Sequence, residues 1–208
     1  MGKQLIAVQR FDNVSVAVQE TLKVLAATAH NASPSLIRKV GRGVTVATQT
    51  LDRPLVVFDI DETLVLENSE PLPEVIQLLK RLRSLDCRIF LVTARHPSAR
   101  DYTVKELTSV GLTPDLYDDL ALCPAKFRTS MNFVGDWKKS QRQAIANRFH
   151  MPVLLTVGDQ WTDLTNVGSL QEMNRLDEAH GTEHTPWILV RLEDGIGFYG
   201  LKLRPPED

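Results

Sequence analysis

Two pairs of aspartates follow two separate apolar runs of the sequence. Asp59 and Asp61 come directly after one run, and Asp159 and Asp163 come after another. Clustered carboxylates repel one another and lose hydration when they are buried, so a fold tolerates them where a cation lies among them. Oxygen ligands without a neighbouring His or Cys select Mg²⁺ rather than zinc or copper. The four aspartates are therefore candidate ligands of a magnesium ion.

A hydroxyl and two ammonium groups accompany these carboxylates. Thr93, Ala94 and Arg95 end a third apolar run, and Lys138 and Lys139 precede the last one. In a parallel α/β sheet, functional groups collect beyond the carboxyl ends of the strands, so these groups are expected at the edge that carries the aspartates. Each alone has an ordinary explanation as a turn, a cap or a solvated side chain. Their combination at matching strand ends indicates a reaction centre.

The elements that would position these groups alternate along the chain. Short runs without polar alternation predict strands buried on both faces at 55–58, 89–92 and 153–157, with a weaker strand at 120–122. Helices are predicted to open at Pro73 and at Pro97, where proline suits the first turn, and to span 140–149 and 163 to about 176. This alternation predicts an α/β layered fold with a mainly parallel sheet.

Both ends of the chain add to this core. Apolar residues at helical spacing, from Val18 to Ala29, predict an amphipathic helix in a peripheral first segment. We expect residues 1–50 to form a helical extension packed on a core of residues 51–208. Near the other end, Asp194-Gly195 lies between two apolar runs, which is the pattern of a C-terminal β-hairpin.

Composition excludes several classes of protein. The chain has 208 residues, of which 43% are hydrophobic and 24% charged, as is ordinary for a globular domain. A formal charge of −2 carries no overall basic signature for nucleic acid, and 2 cysteines do not make a disulfide framework. No apolar run suits a membrane span and no signal peptide is evident, so the expected location is cytoplasmic, without a membrane partner.

Four short motifs carry a family resemblance. Residues 58–64 and 91–95 resemble the first two motifs of the haloacid-dehalogenase-like (HAD) phosphohydrolases, Lys139-Ser140 resembles the third, and residues 158–164 resemble the fourth. The Asp-Glu-Thr and Gly-Asp-Gln-Trp variants are similar to those of the subfamily IIIB acid phosphatases. The resemblance covers roughly residues 50 to 203. It implies a Rossmann-like sheet flanked by helices and a Mg²⁺-dependent phosphotransfer site.

The resemblance also implies a role for each site residue. Asp59 would be the nucleophile that forms an aspartyl-phosphate, and Asp61 would protonate the leaving oxygen and then activate water. Thr93 and the backbone amide of Ala94 would bind a phosphate oxygen. Lys139 would neutralise the phosphoryl charge and hold Asp59.

Further assignments concern the neighbours of these residues. Lys138 is an alternative to Lys139, although Ser140 after Lys139 favours the latter. Arg95 would either contact the leaving group or pair with a carboxylate. The implied Mg²⁺ ligands are acidic: Asp59, the backbone carbonyl of Asp61, Asp159 and Asp163, the last directly or through water.

The segments at which this family inserts cap domains are short here. Residues 64–73 have room for a flap, and residues 94–138 have room for a helix, a strand and a loop over 124–137. We therefore expect minimal caps and an open site, which suits small phosphomonoesters or a large substrate whose bulk stays outside.

The sequence thus predicts a Mg²⁺-dependent phosphomonoester hydrolase that acts on small organic phosphates or nucleotides. A phosphatase for macromolecular ends is an alternative, since Lys126, Arg128 and the lysine pair could form a basic rim for a nucleic-acid 3′-phosphate or a phosphoprotein. A non-catalytic storage or binding protein is another, against which the intact aspartates argue. A phosphotransferase and a homo-oligomer also stay open.

Overall fold

The computed structural model describes residues 7–11, 14–31, 53–165, 170–180, 187–192 and 197–203. The strands are β1 (Ala7–Phe11), β2 (Leu55–Phe58), β3 (Arg88–Thr93), β4 (Asp119–Leu122), β5 (Val153–Gly158), β6 (Trp187–Arg191) and β7 (Gly197–Leu203). The helices are α1 (Val14–Asn31), α2 (Pro73–Ser84), α3 (Arg100–Ser109), α4 (Met131–Phe149), α5 (Trp161–Leu164) and α6 (Leu170–His180). Single 3₁₀ turns lie at Pro97–Ala99, Pro114–Leu116 and Ala125–Phe127.

The described strands form one mixed sheet in the order β1-β6-β7-β5-β2-β3-β4. The five strands from β7 to β4 are parallel to one another, while β6 is antiparallel to both β7 and β1. The prediction of a mainly parallel α/β sheet flanked by helices is confirmed. The antiparallel β6–β7 pair is the expected C-terminal hairpin, although Asp194-Gly195 lies outside the described residues.

The central strands are buried on both faces, as their uninterrupted apolar runs predict. Val56 and Phe58 of β2 pack into a large cluster with α2 and α3, while Leu55 and Val57 join a second cluster with α4. Successive side chains of a strand point to opposite faces, so a strand covered by helices on both sides needs apolar residues at every position. This sandwiching holds the carboxyl ends of β2, β3 and β5 in one row.

The first segment is not entirely helical. Helix α1 contains the predicted amphipathic stripe, but residues 7–11 form β1, which pairs antiparallel with β6 and extends the sheet. The sequence expectation is wrong for these five residues because a short strand that forms by pairing with a distant strand leaves little local pattern. Residues 32–52 lie outside the described part of the chain. The division into an extension and a core stays a prediction.

Helix α4 begins nine residues earlier than the expected start at Ser140. The Ser130 side chain caps it by accepting a hydrogen bond from the backbone N–H of Phe133 at 3.3 Å. Gly135 and Asp136 interrupt the apolar pattern of the first turns, and both are weak helix formers, so the sequence conceals this start. As a consequence, Lys138 lies in the middle of a helix instead of at its beginning, and much of 124–137 is not loop.

The segments where cap domains would be inserted are fully described and contain none. Between β2 and α2 the chain forms a loop, and between β3 and α4 it forms only α3, β4 and the 3₁₀ turns. The expectation of minimal caps therefore holds. Among the described residues, no helix combines the length and apolarity needed to cross a membrane.

The cap of α4 has a measurable energetic role. We expect Ser130→Ala to lower the free energy of unfolding by about 1 kcal/mol, because an N–H of the first turn loses its acceptor. Urea denaturation followed by circular dichroism measures this. Ser130→Asp, which retains an acceptor, is the matched control; equal losses in both variants would contradict the capping role.

Candidate active site

Three buried carboxylates lie together at the carboxyl ends of β2 and β5. Asp59 follows β2, Asp159 follows β5 and Asp163 lies in α5, just beyond. One oxygen from each lies within 4.8 Å of the others. The two strands are hydrogen-bonded parallel neighbours, and the backbone N–H of Asp59 donates to the carbonyl of Val157 at 2.9 Å. The sheet register therefore places Asp59 and Asp159 together, and α5 adds Asp163 to them, as the sequence predicts.

Lys138 is the cation of this cluster. Its ammonium lies 2.9 Å from Asp59 Oδ1 and 2.5 Å from Asp163 Oδ1, and the residue is only 4% exposed. Burial lowers the pKa of this lysine, but Asp163 and Asp59 raise it more, and the net shift is upward. Lys138 is therefore a permanently charged partner of the carboxylates.

One ammonium does not neutralise three ionised carboxylates. Burial, followed by the neighbouring Asp163, raises the pKa of Asp59 well above its ordinary value. Burial and Asp163 likewise raise the pKa of Asp159 to about 6. Two negative charges stay uncompensated when all three aspartates are ionised. The oxygen donors and the charge deficit fit a hard divalent cation.

The backbone after β5 shapes this cluster. The N–H of Gln160 donates to Asp163 Oδ2 at 3.0 Å, and the Gln160 amide donates to Asp159 Oδ2 at 2.8 Å. Gly158 lies against Asp163 so closely that an added Cβ would be 2.2 Å from the Asp163 Cβ. Glycine at this position therefore lets the α5 carboxylate pack onto the end of the strand.

A second polar group is centred on Asp61. Its carboxylate accepts hydrogen bonds from the Thr93 hydroxyl at 3.1 Å and from Arg95 Nε and Nη2 at 2.9 and 2.7 Å. The Asp61 side chain is 49% exposed, whereas that of Arg95 is 15% exposed. A tight turn carries Asp61: the N–H of Leu64 donates to the carbonyl of Ile60, and Glu62 has a φ of 54°. One side of the Asp61 carboxylate therefore faces solvent, while Thr93 and Arg95 hold it through hydrogen bonds.

Arg95 is itself held by α3. Its Nη1 donates to Glu106 Oε2 at 2.5 Å and to the Thr103 hydroxyl at 3.2 Å. Glu106 also accepts hydrogen bonds from Ser69 and Tyr102. Burial raises the pKa of Glu106, but the hydrogen bonds from Ser69 and Arg95 outweigh it and bring the pKa below its usual value. This network joins the loop after β2, the end of β3 and α3.

An open cavity of about 440 Å³ lies beside Asp61. Its walls include Arg95, Tyr102, Glu106 and Arg128. Asp61 also lines this cavity, and its charge acts on the buried Asp59 of the carboxylate cluster. Asp61 therefore relates the cavity to the cluster.

The structure brings together most of the residues that the sequence indicates, in two groups. The first contains Asp59, Asp159, Asp163 and Lys138; the second contains Asp61, Thr93 and Arg95. The sequence left open whether Arg95 contacts the leaving group or pairs with a carboxylate; in the structure it pairs with the carboxylates of Asp61 and Glu106. Ala94 offers only its backbone, and its predicted phosphate contact stays a prediction.

The preference for Lys139 over Lys138 requires correction. Lys138 contacts Asp59 and Asp163, whereas Lys139 is exposed on the next position of α4. Adjacent helix residues point about 100° apart, so the two lysines cannot serve the same site. When the helix is taken to start at Ser140, both lysines lie outside it, and the helical spacing cannot decide between Lys138 and Lys139.

Three supporting residues escaped the sequence analysis: Gln160, Glu106 and Arg142. Arg142 is buried, and its guanidinium donates to backbone carbonyls of α5 and of the residue that follows it. Arg142 follows Lys138 by four residues, so the two lie on one face of the helix. This relation is visible in the sequence only when the helix is taken to include Lys138. Glu106 carries no comparable signal, since its role depends on how α3 packs.

The comparisons with known proteins agree with this geometry. The family described as HAD superfamily, subfamily IIIB (acid phosphatase) matches residues 65–184, more than half of the chain. The match begins after Asp59 and Asp61, so these two residues depend on the structural argument. No protein of curated function matches the chain.

Two solved structures of a class C acid phosphatase from Bacillus anthracis share the fold. One is 18% identical, with a TM-score of 0.51, over 94% of this chain and 84% of that one. The other, with tungstate bound, is 16% identical, with a TM-score of 0.58, over 93% and 76%. At these identities the likeness concerns the fold alone.

The two adjacent lysines offer a direct test of the site geometry. We expect Lys138→Met to reduce kcat/KM for a phosphomonoester by about 10²-fold or more, because the buried carboxylates lose their cation. Lys139→Met, a matched change at an exposed position, should alter it by no more than about twofold. Steady-state kinetics on both variants measure this, and a reversed order of effects would contradict the placement.

Proposed function

The chain belongs to the acid phosphatases of HAD superfamily subfamily IIIB, and we propose that it is a Mg²⁺-dependent phosphomonoester hydrolase that works through an aspartyl-phosphate on Asp59. The observation that carries the proposal is the buried cluster of Asp59, Asp159 and Asp163 on Lys138, with the half-exposed Asp61 beside it. The cluster has a nucleophile, a place for a divalent cation and a neighbouring proton donor.

The metal ligands follow from the cluster. Asp59, Asp159 and Asp163 would hold Mg²⁺, together with the backbone carbonyl of Asp61. When bound, Mg²⁺ supplies positive charge that offsets the charge of the phosphoryl oxygens. Lys138 adds a fixed positive charge on the protein side, since it contacts two of these carboxylates.

In the first half of the reaction, a carboxylate oxygen of Asp59 forms a bond to phosphorus as the bond from phosphorus to the leaving oxygen breaks. Asp61, in its protonated form, gives its proton to that leaving oxygen, and the alcohol departs. The Thr93 hydroxyl, which donates to Asp61 before substrate binds, would turn its proton to a phosphoryl oxygen, and the backbone amide of Ala94 would donate to another. Asp59 then carries the phosphoryl group as a mixed anhydride.

In the second half, a water molecule attacks phosphorus while Asp61 takes a proton from it. The bond between phosphorus and the Asp59 oxygen breaks, which releases inorganic phosphate and restores the Asp59 carboxylate. Asp61 is again protonated, so the cycle closes without another reactant. Arg95 keeps the Asp61 carboxyl group in place through its paired hydrogen bonds.

The open cavity supports a small organic phosphate or a nucleotide as substrate. The phosphoryl group would reach Asp59, and the leaving group would extend past Asp61 into the space of about 440 Å³. No cap domain is inserted in the fully described segments between β2 and α4, so little of the leaving group would be enclosed. We expect tolerance among small phosphomonoesters.

The test of the proposal is hydrolysis of p-nitrophenyl phosphate with Mg²⁺, with EDTA and with Asp59→Asn. We expect turnover that requires Mg²⁺ and falls by about 10³-fold or more in the variant, as for loss of a nucleophile. Asp136→Asn, at an exposed aspartate of α4, is the matched control and should leave turnover unchanged. Turnover that persists in Asp59→Asn would contradict the proposal.

The same assay separates the alternatives. Activity confined to oligonucleotides with a 3′-phosphate, with a strong salt dependence, would favour a phosphatase for macromolecular ends. Mg²⁺ binding without turnover of any phosphomonoester would favour a binding or storage protein.

The proton donor can be identified from the leaving group. We expect Asp61→Asn to reduce kcat about 10²-fold or more for an alkyl phosphate, whose leaving oxygen needs a proton. The loss should be much smaller for formation of the phosphoenzyme from p-nitrophenyl phosphate, since nitrophenolate leaves without one. Rapid-quench kinetics with both substrates measure the first half-reaction, and equal losses for the two would contradict the role of Asp61.

A further inference from the structure

We propose that Arg142 is a positioning residue that holds α5, and through it Asp163, in the geometry needed for divalent-cation binding. The inference rests on the proposed function, because it assigns Arg142 a part in assembling that metal site. It concerns a residue that bonds the backbone of a candidate metal ligand.

Three hydrogen bonds of Arg142 go to backbone oxygens. Its Nη1 donates to the carbonyls of Thr162 at 3.1 Å and Asp163 at 2.9 Å, and its Nη2 donates to the carbonyl of Thr165 at 2.9 Å. The residue is only 1% exposed. A buried guanidinium with three carbonyl acceptors from one short segment fixes that segment closely.

Helix α5 needs such a partner because it has a single turn. The last carbonyls of a helix receive no hydrogen bond from an N–H of the same helix, so in a buried helix other groups must donate to them. The planar fork of arginine can bond several of them at once, which the single ammonium of a lysine cannot reproduce. Arg142 therefore closes the carboxyl end of α5.

The same face of α4 reaches Asp163 at two points. Lys138 donates to Asp163 Oδ1 at 2.5 Å, and Arg142, one turn later, donates to the Asp163 carbonyl. Residues four apart lie on one side of a helix, so Lys138 and Arg142 both face Asp163. Side chain and backbone of a single candidate ligand are thus both held by α4.

Charge and positioning predict opposite effects of removing Arg142. A positive charge close to the cluster repels a bound cation, so an electrostatic role alone means that removing Arg142 tightens Mg²⁺ binding. A positioning role means that removing it weakens Mg²⁺ binding, because Asp163 leaves its place in the ligand set. The sign of the change separates the two.

The experiment is calorimetric titration of Mg²⁺ into metal-free wild type, Arg142→Met and Arg142→Lys. We expect the Mg²⁺ Kd to rise about 10- to 100-fold in Arg142→Met, as for loss of a group that orients a metal ligand. It should also rise in Arg142→Lys, which retains the charge but not the fork. Activity should recover in part at saturating Mg²⁺.

Arg83→Met is the matched control for a general loss of stability. Arg83, in the last turn of α2, also donates to backbone carbonyls, those of Asp115 and Cys87, and it pairs with Asp118. Cys87 directly precedes β3, so these contacts lie at the amino end of that strand, away from the cluster. We expect this variant to have a lower Tm and a Mg²⁺ Kd within about twofold of wild type.

The outcomes are distinguishable from failure of the proposed function. Wild type that binds no Mg²⁺ would overturn the metal role and this inference with it. Wild-type binding with an unchanged or lower Kd in Arg142→Met would overturn this inference alone. If Arg142→Met does not fold, Arg142→Lys decides: a Kd within twofold of wild type overturns the assignment.

Discussion

The mutual repulsion of three buried aspartates, relieved by one lysine, is the constraint on which the rest of this site depends. Asp59, Asp159 and Asp163 share a space in which one oxygen of each lies within 4.8 Å of the others. Removing an ion from water costs several kcal/mol even after the protein relaxes, so such a cluster lowers stability unless it is compensated. Lys138 compensates in part, and a divalent cation would match the charge that is left. Under the proposed function, this costly arrangement would bind a divalent cation and a phosphoryl group.

The fold supplies the positions that this arrangement requires. Neighbouring parallel strands bring Asp59 and Asp159 to one edge, and the missing side chain of Gly158 lets Asp163 approach. Helix α4 covers the cluster from one face and contributes Lys138. Asp61, the proposed proton donor, lies outside this buried set. Asp61 is half exposed, held by Arg95 from the side of α3, and next to an open cavity. Under the proposed mechanism the nucleophile, Asp59, is buried, whereas the proton donor, Asp61, is half exposed.

The sequence predicted the parts of this molecule that depend on local pattern. The apolar runs of β2, β3 and β5 and the aspartates after them identified the sheet edge and most of its reactive groups. The pattern failed where a residue's role depends on a distant partner. Strand β1 is stabilised by its pairing with the distant strand β6. Glu106 of α3 forms an ion pair with Arg95, which lies just after β3. The start of α4 was hidden by Gly135 and Asp136, which have low helix propensity. Which lysine faces the site, and whether Arg142 lies on the same side, can be predicted only when the start of α4 is known. With the start placed at Ser140, the sequence favoured the wrong lysine and gave no role to Arg142.

In the proposed mechanism, Asp59, held in this cluster, carries the phosphoryl group during turnover. The most direct measurement is to mix the protein with Mg²⁺ and a phosphomonoester, quench in acid within the first turnover, and reduce with borohydride. An acyl phosphate on an aspartate is reduced to homoserine, which peptide mass spectrometry locates. Phosphoryl transfer to Asp59 predicts homoserine at position 59 and no other modified aspartate. Modification at another aspartate, or phosphate release in a single turnover with no modified residue at any quench time, would contradict it.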